Sequence, residues 1–208
     1  MKGEEKERFV KHSILSATIL IAAGVILSLP EAAFATSWKE VSELSQTAIT
    51  KARAGQLDDA ARTVIEATRM RQALPKNLPS SDRSNTDGFA SSQLESAFVE
   101  VANVYAQKSR WADLITFCKW HIGDAGHLNT VGVVTAWTQM GEAYRALNGL
   151  PEAEKCYKTA MAAYDSGRSS MSAAEIDQCK KMFPGYARVL KLQNKTAEAQ
   201  SVTAKFAR

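Results

Sequence analysis

Trp137-Thr138-Gln139-Met140-Gly141-Glu142-Ala143-Tyr144, followed by Ala153-Glu154-Lys155-Cys156-Tyr157-Lys158-Thr159-Ala160, is the stretch that decides the fold. Trp137, Met140, Gly141 and Tyr144 recur at three- and four-residue steps, so they share one stripe of a helix. Ala153, Tyr157 and Ala160 form the facing stripe of the next one. Small residues let two helices approach closely while the aromatic rings fill the gaps between them. Asn148-Gly149 makes the turn. Pro151 is tolerated just after it, because the first helical turn leaves its N–H positions unpaired anyway. The spacing predicts a helical hairpin built from 130–147 and 151–166.

In residue order and spacing this hairpin resembles the tetratricopeptide repeat (TPR), a helix–turn–helix unit of about 34 residues. The resemblance implies an all-α chain, a right-handed α-solenoid of antiparallel helical hairpins that binds partners and does not catalyse. Set against this unit, three weaker hairpins emerge, making about four irregular repeats. The first pairs 38–54 with 57–73; Gly55 stops one helix, and Asp58 and Asp59 favour the positive N-terminus of the next. The second pairs 93–108 with 111–122, Ala102 taking the place of Gly141 and Leu114 the place of the usual alanine. The fourth pairs 172–193 with 196–207. Pro184-Gly185 falls inside its first helix, which predicts a bend or break near Phe183. Ala60, Leu114, Ala153 and Ala199 should be equivalent positions, separated by 54, 39 and 46 residues. These intervals exceed the unit length, so the array is irregular. Between the first two hairpins, 74–92 holds Pro75, Pro79, Gly88 and many polar residues, and reads as an exposed loop.

The N-terminal segment reads as a leader. Lys2, Lys6, Arg8 and Lys11 precede an uncharged run over 13–29, Pro30 ends it, and Ala33-Phe34-Ala35 offers small residues where a signal peptidase reads. The expectation is a signal peptide over 1–35, cleavage after Ala35, and an exported protein, periplasmic or secreted. An uncleaved anchor is the alternative, since the run is only slightly short of a bilayer span. No second run of that kind follows, so no membrane association is expected of the mature form once the leader is removed.

The remaining chain, 36–208, has 173 residues, with 22 Lys/Arg and 18 Asp/Glu. That length suits one TPR-like domain. The surplus of four positive charges is too mild for nucleic-acid binding, which needs a dense basic stripe. Cys118, Cys156 and Cys179 are too few and too odd in number for a disulfide framework. A single Cys156–Cys179 bridge between consecutive helices is conceivable in an oxidising compartment.

No phosphate loop, Cys-x-x-Cys or His-Glu-x-x-His is present. Cys118, His121, Asp124 and His127, three residues apart, form a weak candidate for zinc, but three-residue steps drift around a helix and Gly123 and Gly126 suggest that the helix ends there. No cofactor, no metal and no catalytic residue are therefore expected. Trp111, Trp137, Tyr144 and Tyr157 have the spacing of packing residues rather than of a ligand cage.

In TPR arrays the first helix of each hairpin lines the concave face, where peptides lie. Carried over, that points to Asn103 and Gln107 in the second hairpin, Thr138, Glu142 and Arg145 in the third, and Lys181, Arg188 and Lys191 in the fourth. The family's clamp for a terminal carboxylate is absent, because Ser45 and Ile49 stand at the matching places. A basic end, Lys180, Lys181, Arg188, Lys191 and Lys195, would attract an acidic partner or an anionic surface. The functional expectation is an exported scaffold for a protein or peptide partner. A membrane-anchored accessory of a cell-envelope or secretion complex is the alternative, and a small metal-dependent enzyme a distant third.

Overall fold

The computed structural model describes residues 31–73, 80–124 and 129–206, and every regular element among them is helical. Helices α1 (Glu31–Arg53) and α2 (Leu57–Ala73) form the first hairpin, α3 (Ser80–Gln107) and α4 (Trp111–Asp124) the second, and α5 (Thr130–Ala146) and α6 (Leu150–Gly167) the third. A short 3₁₀ turn, Arg168–Ser170, leads to α7 (Ala173–Lys180), α8 (Phe183–Leu192) and α9 (Thr196–Phe206).

One turn is used four times. Gly55, Ser109, Asn148 and Asn194 each have φ between 56° and 81°. Each donates its N–H to the carbonyl three residues back, and the next residue donates to the carbonyl five back: Gln56 to Lys51, Arg110 to Tyr105, Gly149 to Tyr144 and Lys195 to Leu190, at 2.8–2.9 Å. These are Schellman caps, which satisfy the orphan carbonyls of a helix end and reverse the chain in two residues. Five residues after each left-handed residue come Ala60, Leu114, Ala153 and Ala199, all fully buried. The N–H of each donates to the carbonyl that closes the preceding turn, at 2.9–3.0 Å. The equivalence expected of these four positions holds, Leu114 included.

Packing repeats as well. Helix α3 lies against both α1 and α2, α5 against α3 and α4, and α8 against α5 and α6. Two large apolar clusters and a small third one, Trp38, Val41 and Ala90, form the core. The larger holds Val64, Phe98, Val101, Leu114 and Met140; the other holds Val134, Tyr157, Tyr164, Phe183 and Leu190. Trp137 and Tyr144 pack against both, so the α5 stripe joins the two halves of the core. Both side chains are half-buried, so each contributes less than the roughly 1.5–3 kcal/mol of a fully buried large apolar side chain.

Two expectations meet the described residues directly. The fourth hairpin breaks where Pro184 requires it: α7 stops at Lys180, and Pro184 falls in the first turn of α8, where it removes no hydrogen bond. By contrast, the loop expected over 74–92 is corrected for most of its length, because α3 begins at Ser80; 74–79 lies outside the described residues. Both prolines precede Ser80, and Gly88 alone costs about 1 kcal/mol of helix propensity. Ala90 packs with Trp38 and Val41, and Leu94 joins the larger cluster, so tertiary burial outweighs polar composition. The three thiols are free and buried. The Cys156–Cys179 bridge is not formed, and these two residues sit in different clusters while Cys118 shares that of Cys156.

No helix among the described residues is long and apolar enough to cross a membrane. The apolar run over 13–29 lies outside the described residues, whereas Ala33–Ala35 falls in the first turns of α1.

Candidate binding surface

Polar links step from one first helix to the next. Arg53 Nε of α1 donates to Glu100 of α3 at 2.7 Å, and Gln139 Nε2 of α5 donates to Asn103 of α3 at 3.1 Å. Further along α5, Arg145 Nε donates to Glu142 Oε2 at 2.7 Å, while Tyr157 Oη donates to Glu142 Oε1. Burial, reinforced by the adjacent Glu142 carboxylate, drives the Tyr157 hydroxyl far above its ordinary pKa; Arg145 and Arg188 oppose this only in part. The phenol therefore stays a donor. Glu100, Asn103 and Gln107 lie on one face of α3 by helical spacing, as do Gln139 and Glu142 on α5.

The expected contact residues divide into three groups. Gln107, Lys181, Arg188 and Lys191 are exposed, and Asn103 is half-buried. Glu142 and Arg145 are half-buried and engaged with each other, so only their outer edges are open. Thr138 is a correction: it is 7 % exposed, and its hydroxyl points into the interior without a described partner. Gln139, one residue on, occupies the polar face instead and was missed. Its three-residue step to Glu142 was the available signal.

The basic end also divides. Lys195 is committed to the third hairpin, donating at 2.7 Å to Glu154, which also pairs with Lys158 at 2.7 Å. Burial raises the Glu154 pKa, but the two ammonium groups outweigh it and hold the carboxyl below its usual range. Arg188 and Lys191, joined by Lys180, instead rim a groove of about 450 Å³ between α8 and α9. Phe183, Ala187, Val202 and Phe206 line its floor, and the rings of Phe183 and Phe206 stack at 3.9 Å.

The weak zinc candidate does not assemble among the described residues. His121 is buried and stacks on Phe98 with ring centroids 3.7 Å apart. Its nearest carboxylate, on Glu95, lies 3.7 Å away, beyond hydrogen-bond reach. Burial pushes the Cys118 thiol strongly up. His127 lies outside the described residues, and no group of three His, Cys, Asp or Glu converges among those described.

Comparison with protein-family models, curated proteins and solved structures finds no match to this chain.

Proposed function

We propose that the chain is an exported TPR-like scaffold: a right-handed solenoid of four hairpins that binds a protein or peptide partner along the face lined by its first helices, α1, α3, α5 and α8. The observation that carries this reading is the fourfold reuse of one Schellman turn with one buried contact five residues later. Each following first helix lies against both members of the hairpin before it, and stacking of that kind generates an extended face. Such a face offers polar side chains in rows, here Glu100, Asn103, Gln107, Gln139, Arg145 and Arg188, suited to reading an extended peptide through hydrogen bonds and charge. In this reading the leader directs export and is removed after Ala35, leaving a periplasmic or secreted protein that performs no turnover.

Affinity capture from the native host tests the reading, comparing the wild type with Asn103→Ala/Gln107→Ala/Arg145→Ala. Partners recovered by the wild type and lost by the variant support it. Equal recovery by both removes the first-helix face as the binding surface.

A further inference from the structure

We propose that the groove between α8 and α9 is a docking site for an acidic amphipathic helix of a partner protein, seated where the first helix of a further hairpin would lie. The inference rests on the scaffold reading and adds the site and the chemistry of its occupant.

The position follows from the packing rule. In each earlier step the next first helix settles against both helices of the preceding hairpin. On α8, Gly185 faces back toward Tyr157 and Glu142 of the third hairpin, and Tyr186 stacks on Tyr157 with centroids 5.5 Å apart. Pro184, Ala187, Arg188 and Lys191 line the groove, and helical spacing places Pro184, Ala187 and Lys191 on the face turned away from that hairpin, with Arg188 at its edge. The groove is therefore the seat that α3, α5 and α8 fill in their own steps, and among the described residues no helix fills it here.

Its chemistry names the occupant. The floor is apolar, so the seated element must bring an apolar stripe. At the rim, Lys180, Arg188 and Lys191 make no ion pair with any described residue. Elsewhere, four contacts between hairpins pair a cation with a carboxylate: Arg53 with Glu100, Arg110 with Asp58, Lys195 with Glu154 and Lys205 with Asp165, at 2.7–2.9 Å. Three cations without carboxylates around an apolar floor call for a helix that supplies them on both sides of its stripe.

Fluorescence anisotropy with the full chain and three labelled synthetic peptides of about 16 residues, long enough to become helical on a surface, tests the proposal. The first carries leucines at helical spacing flanked by glutamates, the second the same leucines flanked by lysines, and the third the first composition scrambled. The wild type should bind the first peptide saturably. Lys180→Glu/Lys191→Glu alters one half-buried and one exposed side chain at the rim and should keep the native circular dichroism spectrum. It should weaken that peptide at least about tenfold and gain affinity for the lysine-flanked one. Equal binding of the first peptide by both proteins overturns the proposal, as does equal binding of the scrambled peptide by the wild type. Phosphatidylglycerol vesicles bound through the same lysines, with no peptide bound, would also overturn it in favour of a lipid surface. Native-host partners captured equally by the wild type and Lys180→Glu/Lys191→Glu would leave the scaffold reading standing while the groove assignment falls.

Discussion

Gly185→Ala should destabilise the fold by about 1.5–6 kcal/mol, because the methyl group has no room. A Cβ at this position would overlap the Tyr157 hydroxyl and the Glu142 carboxylate, and would approach Tyr157 Cζ to 3.0 Å. Tyr157 has nowhere to go. It is fully buried, its ring stacks on Tyr186, and a Cβ built on Gly141 would stand only 2.9 Å from its Cε2. Glu142 is held from its other oxygen by Arg145. Overpacking of this kind costs about 1–3 kcal/mol. Losing the hydrogen bond from Tyr157 to the carboxylate adds about 1.5–3 kcal/mol, and better helix propensity returns up to about 1 kcal/mol. For a domain of this size that corresponds to a melting point lower by about 3–24 °C. Urea denaturation followed by circular dichroism measures the difference, and a double-mutant cycle tests its cause. In a Tyr157→Phe background the hydroxyl is gone, so Gly185→Ala should cost about 1–2 kcal/mol less than in the wild type. A Gly185→Ala protein as stable as the wild type, or an equal cost in both backgrounds, would refute the reasoning.

Other consequences are as specific. Ser172 and Glu175 form a reciprocal capping box at the start of α7, so Ser172→Ala should cost about 1 kcal/mol in the same denaturation assay. Ser109 occupies a left-handed cap, so Ser109→Gly should gain about 0.5 kcal/mol, whereas Gly55→Ala should cost about 1 kcal/mol. Glu154 has a folded pKa below the 4.5 it has when free. Its stabilisation is therefore fully present above about pH 4.5 and is lost as pH falls through the folded pKa. After discounting the half-exposed lysines, Glu154→Gln should cost about 1 kcal/mol at pH 7, with the gap to the wild type closing toward pH 3. Burial raises the thiols of Cys156 and Cys179 to about 11, so Ellman's reagent should label the native chain only slowly and all three thiols after unfolding.

Much of the fold is legible in residue pattern because the pattern is steric. Gly141 and Tyr157 predict each other: the ring rests where a Cβ would stand, and no other neighbour is needed to say so. Pro184 likewise fixes a helix start by lacking an N–H. What eluded the pattern depended on distant partners. The helical 80–92 segment carries no strong propensity and is held by burial of Ala90 and Leu94 against residues of other helices. Thr138 and Gln139 differ by one helical step, a rotation that spacing alone did not resolve; only packing against neighbours turns one inward and the other toward Asn103. Lys195 was grouped with the other basic residues of the last hairpin, yet the fold assigns it to Glu154, 41 positions earlier. Charge runs name a set of residues, and tertiary structure decides which of them stay free.

Photo-crosslinking in the native host shows directly whether a partner lies along the first helices. A photoreactive phenylalanine is placed in turn at Asn103 and Gln107 on the first-helix face, and at the exposed Thr116 and Lys155 on second helices. Adducts of one discrete mass should form from the first pair and none from the second. Adducts confined to Thr116 and Lys155, or equal from all four positions, would contradict the first-helix binding face.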